Sequence, residues 1–151
     1  MGGTHIKESM GVLHRVLCCA ALLFAILLTP PRTSAQDDNS PWVAPEDARK
    51  VQNPVKPTPE NLAEAAHLFK LNCAGCHGVK GDGNGPAAEG LPKKPANFTD
   101  TKMMNAATDG ELFWKITNGR PPMPTWQALP ETQRWELVNY IRTFSAKSPA
   151  K

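Results

Sequence analysis

The sequence predicts an all-α domain of three main helices joined by long loops. Apolar residues recur at helical spacing in three separate segments, the pattern of amphipathic helices. No stretch alternates apolar and polar residues convincingly enough to mark a strand. The intervals between the periodic segments are crowded with glycine and proline, which stop helices and build irregular connections.

Each element has its own signals. Thr58-Pro59-Glu60 opens the first helix: threonine caps, proline suits the first helical position, and an acid favours the positive end of the helix. Leu62, Ala65, Ala66, Leu68 and Phe69 follow at helical spacing, and the helix runs into Cys73. Residues 75–95 hold six glycines and three prolines and are predicted as loop. Thr108-Asp109-Gly110-Glu111 has the Thr-x-x-Glu form of a capping box. It starts a short helix through Leu112, Phe113, Trp114 and Ile116, stopped by Asn118-Gly119. Arg120 to Leu129 is a second proline-rich loop. Pro130 or its neighbour starts the last helix, which carries Trp135, Leu137, Val138, Tyr140, Ile141 and Phe144.

Three regions are expected along the 151 residues. Residues 1–35 form a secretory leader: a polar start with Lys7 and Arg15, thirteen apolar or cysteine residues from Val16 to Leu28, and a small-residue exit at Ala35. Thirteen helical residues reach roughly 20 Å, short of the ~30 Å hydrocarbon core, which favours a cleaved signal over a retained anchor. Residues 36–58, with Pro41, Pro45, Pro54 and Pro57, are expected as an extended tail in which Trp42 is suited to local packing. Residues 59–151 remain for the compact domain. Removing Lys7, Arg15, Arg32 and Glu8 with the leader leaves 14 basic and 13 acidic residues, a net charge of +1. So nearly neutral a chain lacks the electrostatic footprint of a nucleic-acid binder.

The cysteines narrow the chemistry. Cys18 and Cys19 lie in the leader, so the exported chain keeps only Cys73 and Cys76. That pair is too local to act as a structural staple. Cys73-Ala74-Gly75-Cys76-His77 is a C-x-x-C-H run, the spacing of c-type haem attachment: two thiols can add to the two vinyl groups of one haem, and the adjacent histidine can reach the iron. A zinc site needs about four protein ligands, and no second C-x-x-C is present. A thioredoxin-like dithiol wants a strand ahead of the motif, where this chain has a helix. A bound haem also answers a physical difficulty, because some ninety residues with this much loop make a poor core unaided.

With these residues in place, the chain resembles the small single-haem class I cytochromes c of bacteria over roughly residues 59–145. The resemblance rests on Phe69, Cys-Ala-Gly-Cys-His-Gly at 73–78, Gly-Asp-Gly-Asn-Gly-Pro-Ala-Ala at 81–88 and Pro-Ala-Asn-Phe at 95–98. It continues through Leu-Phe-Trp-Lys-Ile-Thr-Asn-Gly at 112–119, Met-Pro-Thr-Trp at 123–126 and Trp-Glu-Leu-Val-Asn-Tyr-Ile-Arg at 135–142. One departure is Ala65, where the family often has glycine at the crossing of the first and last helices. The resemblance implies the cytochrome c fold around one covalently bound haem c, attached through Cys73 and Cys76. It assigns His77 and Met123 as axial iron ligands. The residues agree with that choice: Met123 offers a soft, neutral thioether on a loop stiffened by Pro121, Pro122 and Pro124. Met103, Met104 and His67 are the rivals. The family pattern further gives the Pro86 carbonyl to the second ring nitrogen of His77, and Trp114 and Trp126 to the haem wall. Phe69 is expected to meet Leu137 and Tyr140 between the first and last helices.

Two axial ligands leave no open position at iron, which suits electron transfer rather than catalysis. The expected function is one-electron carriage in an exported, periplasmic electron-transport chain, with no catalytic residues and no small-molecule substrate. Its partners would be redox-protein donors and acceptors, among them a membrane respiratory complex or a dehydrogenase. The alternative is a cytochrome subunit of a dehydrogenase or oxidase complex, membrane-tethered if the leader is kept; a haem peroxidase is a distant third.

Overall fold

A computed structural model describes residues 41–146, so the expected leader lies outside the described residues. In chain order the helices are α1 (Glu46–Lys50), α2 (Pro59–Asn72), α3 (Ala74–His77), α4 (Thr101–Ala106), α5 (Asp109–Asn118) and α6 (Glu131–Ala146), with a 3-10 turn at Pro86–Ala88. Among the described residues the only extended pairing is an isolated antiparallel bridge between Arg120 and Met123. No helix among them is long and apolar enough to cross a membrane.

The three expected helices are α2, α5 and α6. Thr58 caps α2 through its hydroxyl, which accepts from the Asn61 amide at 3.3 Å, while Asn61 Oδ1 accepts from the Thr58 amide at 2.9 Å. At α5 only half of the expected capping box forms. The Thr108 hydroxyl accepts from the Glu111 amide at 3.1 Å, but the Glu111 carboxylate turns away to Lys115 Nζ, 2.5 Å off and one turn on. An ion pair at that spacing competes well with a backbone bond.

α2 packs across α6. Ala65 is fully buried on α2 and Val138 on α6, and the Phe69 ring meets Tyr140 at 5.4 Å and Phe144 at 5.2 Å between centroids. Leu137 joins Phe69, Phe98, Met104, Leu112, Trp135, Val138 and Ile141 in the same core. The expected α2–α6 contact is therefore present, and alanine at position 65 is accommodated.

Three short helices escaped the sequence reading: α1, α4, and the single turn α3, which overlaps the start of the stretch predicted as loop. α4 is capped by the Asp100 carboxylate, which accepts from the Met103 amide at 3.1 Å, and it buries Met104 completely. α1 lies in the stretch expected as a tail. That stretch is largely docked, and the compact unit begins at Trp42. Trp42 meets Trp114 of α5 at 6.5 Å between ring centroids, and Lys115 Nζ stands 5.5 Å from the Trp42 ring. Asn53 Nδ2 donates to the Trp135 carbonyl and to Asn139 Oδ1, and Asn139 Nδ2 donates back to the Val55 carbonyl. Prolines here prevent a long helix without preventing docking, because side-chain amides satisfy the extended backbone. Gly110 makes room for this strap: a Cβ there would stand 2.8 Å from the Val51 carbonyl and nearer still to that of Ala48.

Candidate functional site

The C-x-x-C-H run occupies the end of α2 and the single turn of α3. Cys73 ends α2, its amide donating to the Phe69 carbonyl at 2.8 Å. The His77 amide donates back to the Cys73 carbonyl at 2.9 Å, so one helical turn holds both thiols and the imidazole. Both cysteines are free thiols and half-buried, and Cys73 packs against the core.

The glycine-rich loop folds behind this turn. The Gly83 amide donates to the His77 carbonyl at 2.8 Å and the Gly85 amide to the Cys76 carbonyl at 3.0 Å. Gly85 lies so close that a Cβ would sit 2.6 Å from the Ala74 carbonyl. Any side chain there would push the loop off the motif. Phe98 completes the support: its amide donates to the Gly81 carbonyl at 2.7 Å, and its ring stacks on His77 at 4.6 Å.

His77 Nδ1 lies 3.1 Å from the Ala96 carbonyl. A carbonyl only accepts, so Nδ1 carries the proton and Nε2 keeps its lone pair for a metal. This corrects the expectation for Pro86, which starts the 3-10 turn instead. The crossing segment Pro95–Phe98, whose Phe98 ring stacks on the histidine, brings the Ala96 carbonyl to the ring. Burial, opposed by the Ala96 carbonyl, holds the His77 pKa below the ordinary value, favouring the neutral ring that ligation requires. Burial, with Cys76 adding to it, pushes the Cys73 thiol up to about 11. A reactive redox cysteine has the opposite shift.

Met123 is half-buried at a tight turn closed by two backbone bonds, Arg120 amide to Met123 carbonyl at 3.0 Å and Met123 amide to Arg120 carbonyl at 2.8 Å. Its rivals fare differently. Met104 is wholly buried and Met103 packs against the same core, while His67 is exposed on α2. Trp114 and Trp126 are both half-buried; Trp114 meets Trp42, and the Trp126 amide donates to the Ile116 carbonyl at 3.2 Å. Sequence reasoning missed Ala96, because a carbonyl contact leaves no trace in residue type. It also assigned no role to Arg142, which donates to the carbonyls of Met104 and Ala107 and pairs with Asp109 at 2.7 Å.

The donor set fits a haem c. It offers two unpaired thiols on one turn and an imidazole whose outer nitrogen is free. Among the described residues no three His, Cys, Asp or Glu side chains are grouped to hold a bare metal ion.

Comparison with known proteins points the same way. Residues 62–145 match the family described as cytochrome c. The chain is 30% identical over 110 residues to the cbb3-type cytochrome c oxidase subunit CcoP of Rubrivivax gelatinosus, covering 68% of this chain and 33% of that protein. It is 28% identical over 79 residues to a cytochrome c-553-like protein of Synechocystis, covering 51% of this chain and 63% of the other. Among solved structures it is similar to a chain of the Kuenenia stuttgartiensis reducing HAO-like protein complex Kustc0457/Kustc0458, with TM-score 0.52 and 30% identity over 62% of this chain and 49% of that one. The chain thus spans a third of one curated relative and under two thirds of the other.

Proposed function

The chain belongs to the cytochrome c family, with its all-α fold and covalently bound haem c, and from that premise we propose that it carries single electrons between redox proteins of an exported electron-transport chain. Haem c supplies a one-electron iron couple when bound. Cys73 and Cys76 tether it through thioethers, so that it is retained irrespective of any binding equilibrium. His77 would hold the iron through Nε2, with its ring orientation fixed by the Ala96 carbonyl, and Met123 would supply a thioether as second ligand. Met/His ligation raises the reduction potential and leaves no position for substrate.

The observation that carries this reading is the His77 Nδ1 bond to Ala96 within a turn that also presents both thiols. Leu71 and Val79, which flank the motif in the sequence and are 66% and 71% exposed, are apolar side chains available for contact with other redox proteins. Acid-acetone extraction tests the attachment: colour should stay with the protein, and colour passing into the organic phase would reject it.

A second reading, a cytochrome subunit of a larger oxidase or dehydrogenase complex, is favoured by the likeness to CcoP and to a chain of the Kuenenia complex. Solubilising membranes of the native host and purifying under mild conditions separates the two. Constant association with a large subunit selects the second, and elution as a small free protein selects the first.

A further inference from the structure

We infer that Thr125, Thr117 and Arg134 form a clamp that positions the Met123 turn, and so governs how firmly its thioether is held. This rests on Met123 as an iron ligand. The turn from Arg120 to Met123 is closed by its own two backbone bonds, which fix its shape but not its place. The residues that follow tie it to the end of α5. The Thr125 hydroxyl donates to the Thr117 carbonyl at 2.6 Å, and the Trp126 amide donates to the Ile116 carbonyl at 3.2 Å. Both acceptors lie in the last turn of α5, where carbonyls lack helical partners. Gly119 permits the close approach, since a Cβ there would stand 2.5 Å from the Pro124 carbonyl.

Arg134 locks the same point from α6. Its Nη1 donates to the Thr117 hydroxyl at 2.5 Å, its Nε to the Leu129 carbonyl at 3.2 Å, and its guanidinium lies over the Phe113 ring at 4.8 Å. It is only 9% exposed and pairs with no carboxylate among the described residues. A buried cation served only by neutral acceptors is costly. This one ties both ends of a single loop, from Thr117 at its start to Leu129 at its close. Thr125 and Arg134 thus meet on one residue, Thr117, through its carbonyl and its hydroxyl.

A neutral thioether leaves iron readily for a competing ligand, so its retention depends on the turn staying in place. The test uses full-length holoprotein with Thr125→Val and Thr125→Ser. The readouts are the far-red absorption of the ferric iron–thioether bond and the affinity of the ferric protein for added imidazole. Thr125→Val should bind imidazole about tenfold more tightly, the scale set by loss of the hydroxyl's bond to the Thr117 carbonyl together with the weaker one it accepts from the Gln127 amide at 3.3 Å, while Thr125→Ser should match the unmutated protein. If Thr125→Val does not accumulate, Thr117→Val removes the acceptor for Arg134 and is read the same way. A valine variant with unchanged imidazole affinity overturns the clamp, whatever its melting temperature. If the unmutated protein lacks the far-red band, Met123 ligation fails and takes the clamp with it, so the two failures are read on different samples.

Discussion

At Arg142 a single side chain reaches across the loops of this fold, and at Met123 a single side chain is proposed to hold the iron. Met123→Ala removes the thioether proposed to hold the iron. The reduced variant should bind carbon monoxide and gain peroxidase-like turnover, whereas the native protein should not bind carbon monoxide readily. Its reduction potential should fall, because a thioether favours ferrous iron and water favours ferric; each 59 mV is a factor of ten for one electron. Potentiometry and carbon monoxide difference spectra check both, and rapid carbon monoxide binding by the native protein would sink the assignment. Arg142 holds two carbonyls at the junction of α4 and α5 and pairs with Asp109. Arg142→Ala should cost about 2–4 kcal/mol, since it strands those acceptors together, and chemical denaturation measures the loss. The thiols and the histidine were legible because their chemistry is written in residue type and spacing. Ala96 and Arg142 were not, because a backbone carbonyl can be supplied by any residue and its partner is set by tertiary crossing.

Among the elements, the long helices were readable and the short ones were not. α2 declares itself through its Thr58 cap, and both α2 and α6 through apolar residues that recur over several turns. α1 and α4 have five and six residues, too few for periodicity to register. Their signals are local: Asp100 as a cap, and Glu46 paired with Lys50 one turn on at 2.6 Å. Gly110 tests the packing of α1 and its flanks upon α5. In an open helix Gly→Ala adds up to about 1 kcal/mol of stability. Here the new methyl group meets the carbonyls of Ala48 and Val51, so Gly110→Ala should instead destabilise by about 1–3 kcal/mol. A lower melting temperature, with Trp42 more accessible to a fluorescence quencher, is the expected outcome; a higher one would mean that the strap does not press on α5.

For the molecule as a whole, the sequence indicated an all-helical domain whose core is completed by a cofactor. It misplaced the edge of that domain, because proline content was read as absence of packing. Expressed in a host that attaches haem in the periplasm, the mature chain should begin at Gln36, which N-terminal sequencing or intact mass decides. A mature, membrane-bound chain retaining residues 1–35 would favour the tethered subunit and leave the haem site untouched. The near-neutral charge of residues 36–151 predicts electron exchange that depends only weakly on ionic strength, measurable by stopped-flow against a charged redox partner.

The strap has one more consequence, for how such a unit can be moved between proteins. The family match begins at residue 62, inside α2 and beyond the Thr58 cap. A piece cut at that boundary would lose the cap, the Asn53–Asn139 exchange and the Trp42–Trp114 contact, baring the face of α5 that Gly110 keeps open for backbone. It should melt well below the piece that starts at Trp42, at about 4–8 °C per kcal/mol for a domain near this size. The portable module is therefore longer than the recognisable one, and a graft into a larger redox protein has to carry its own strap.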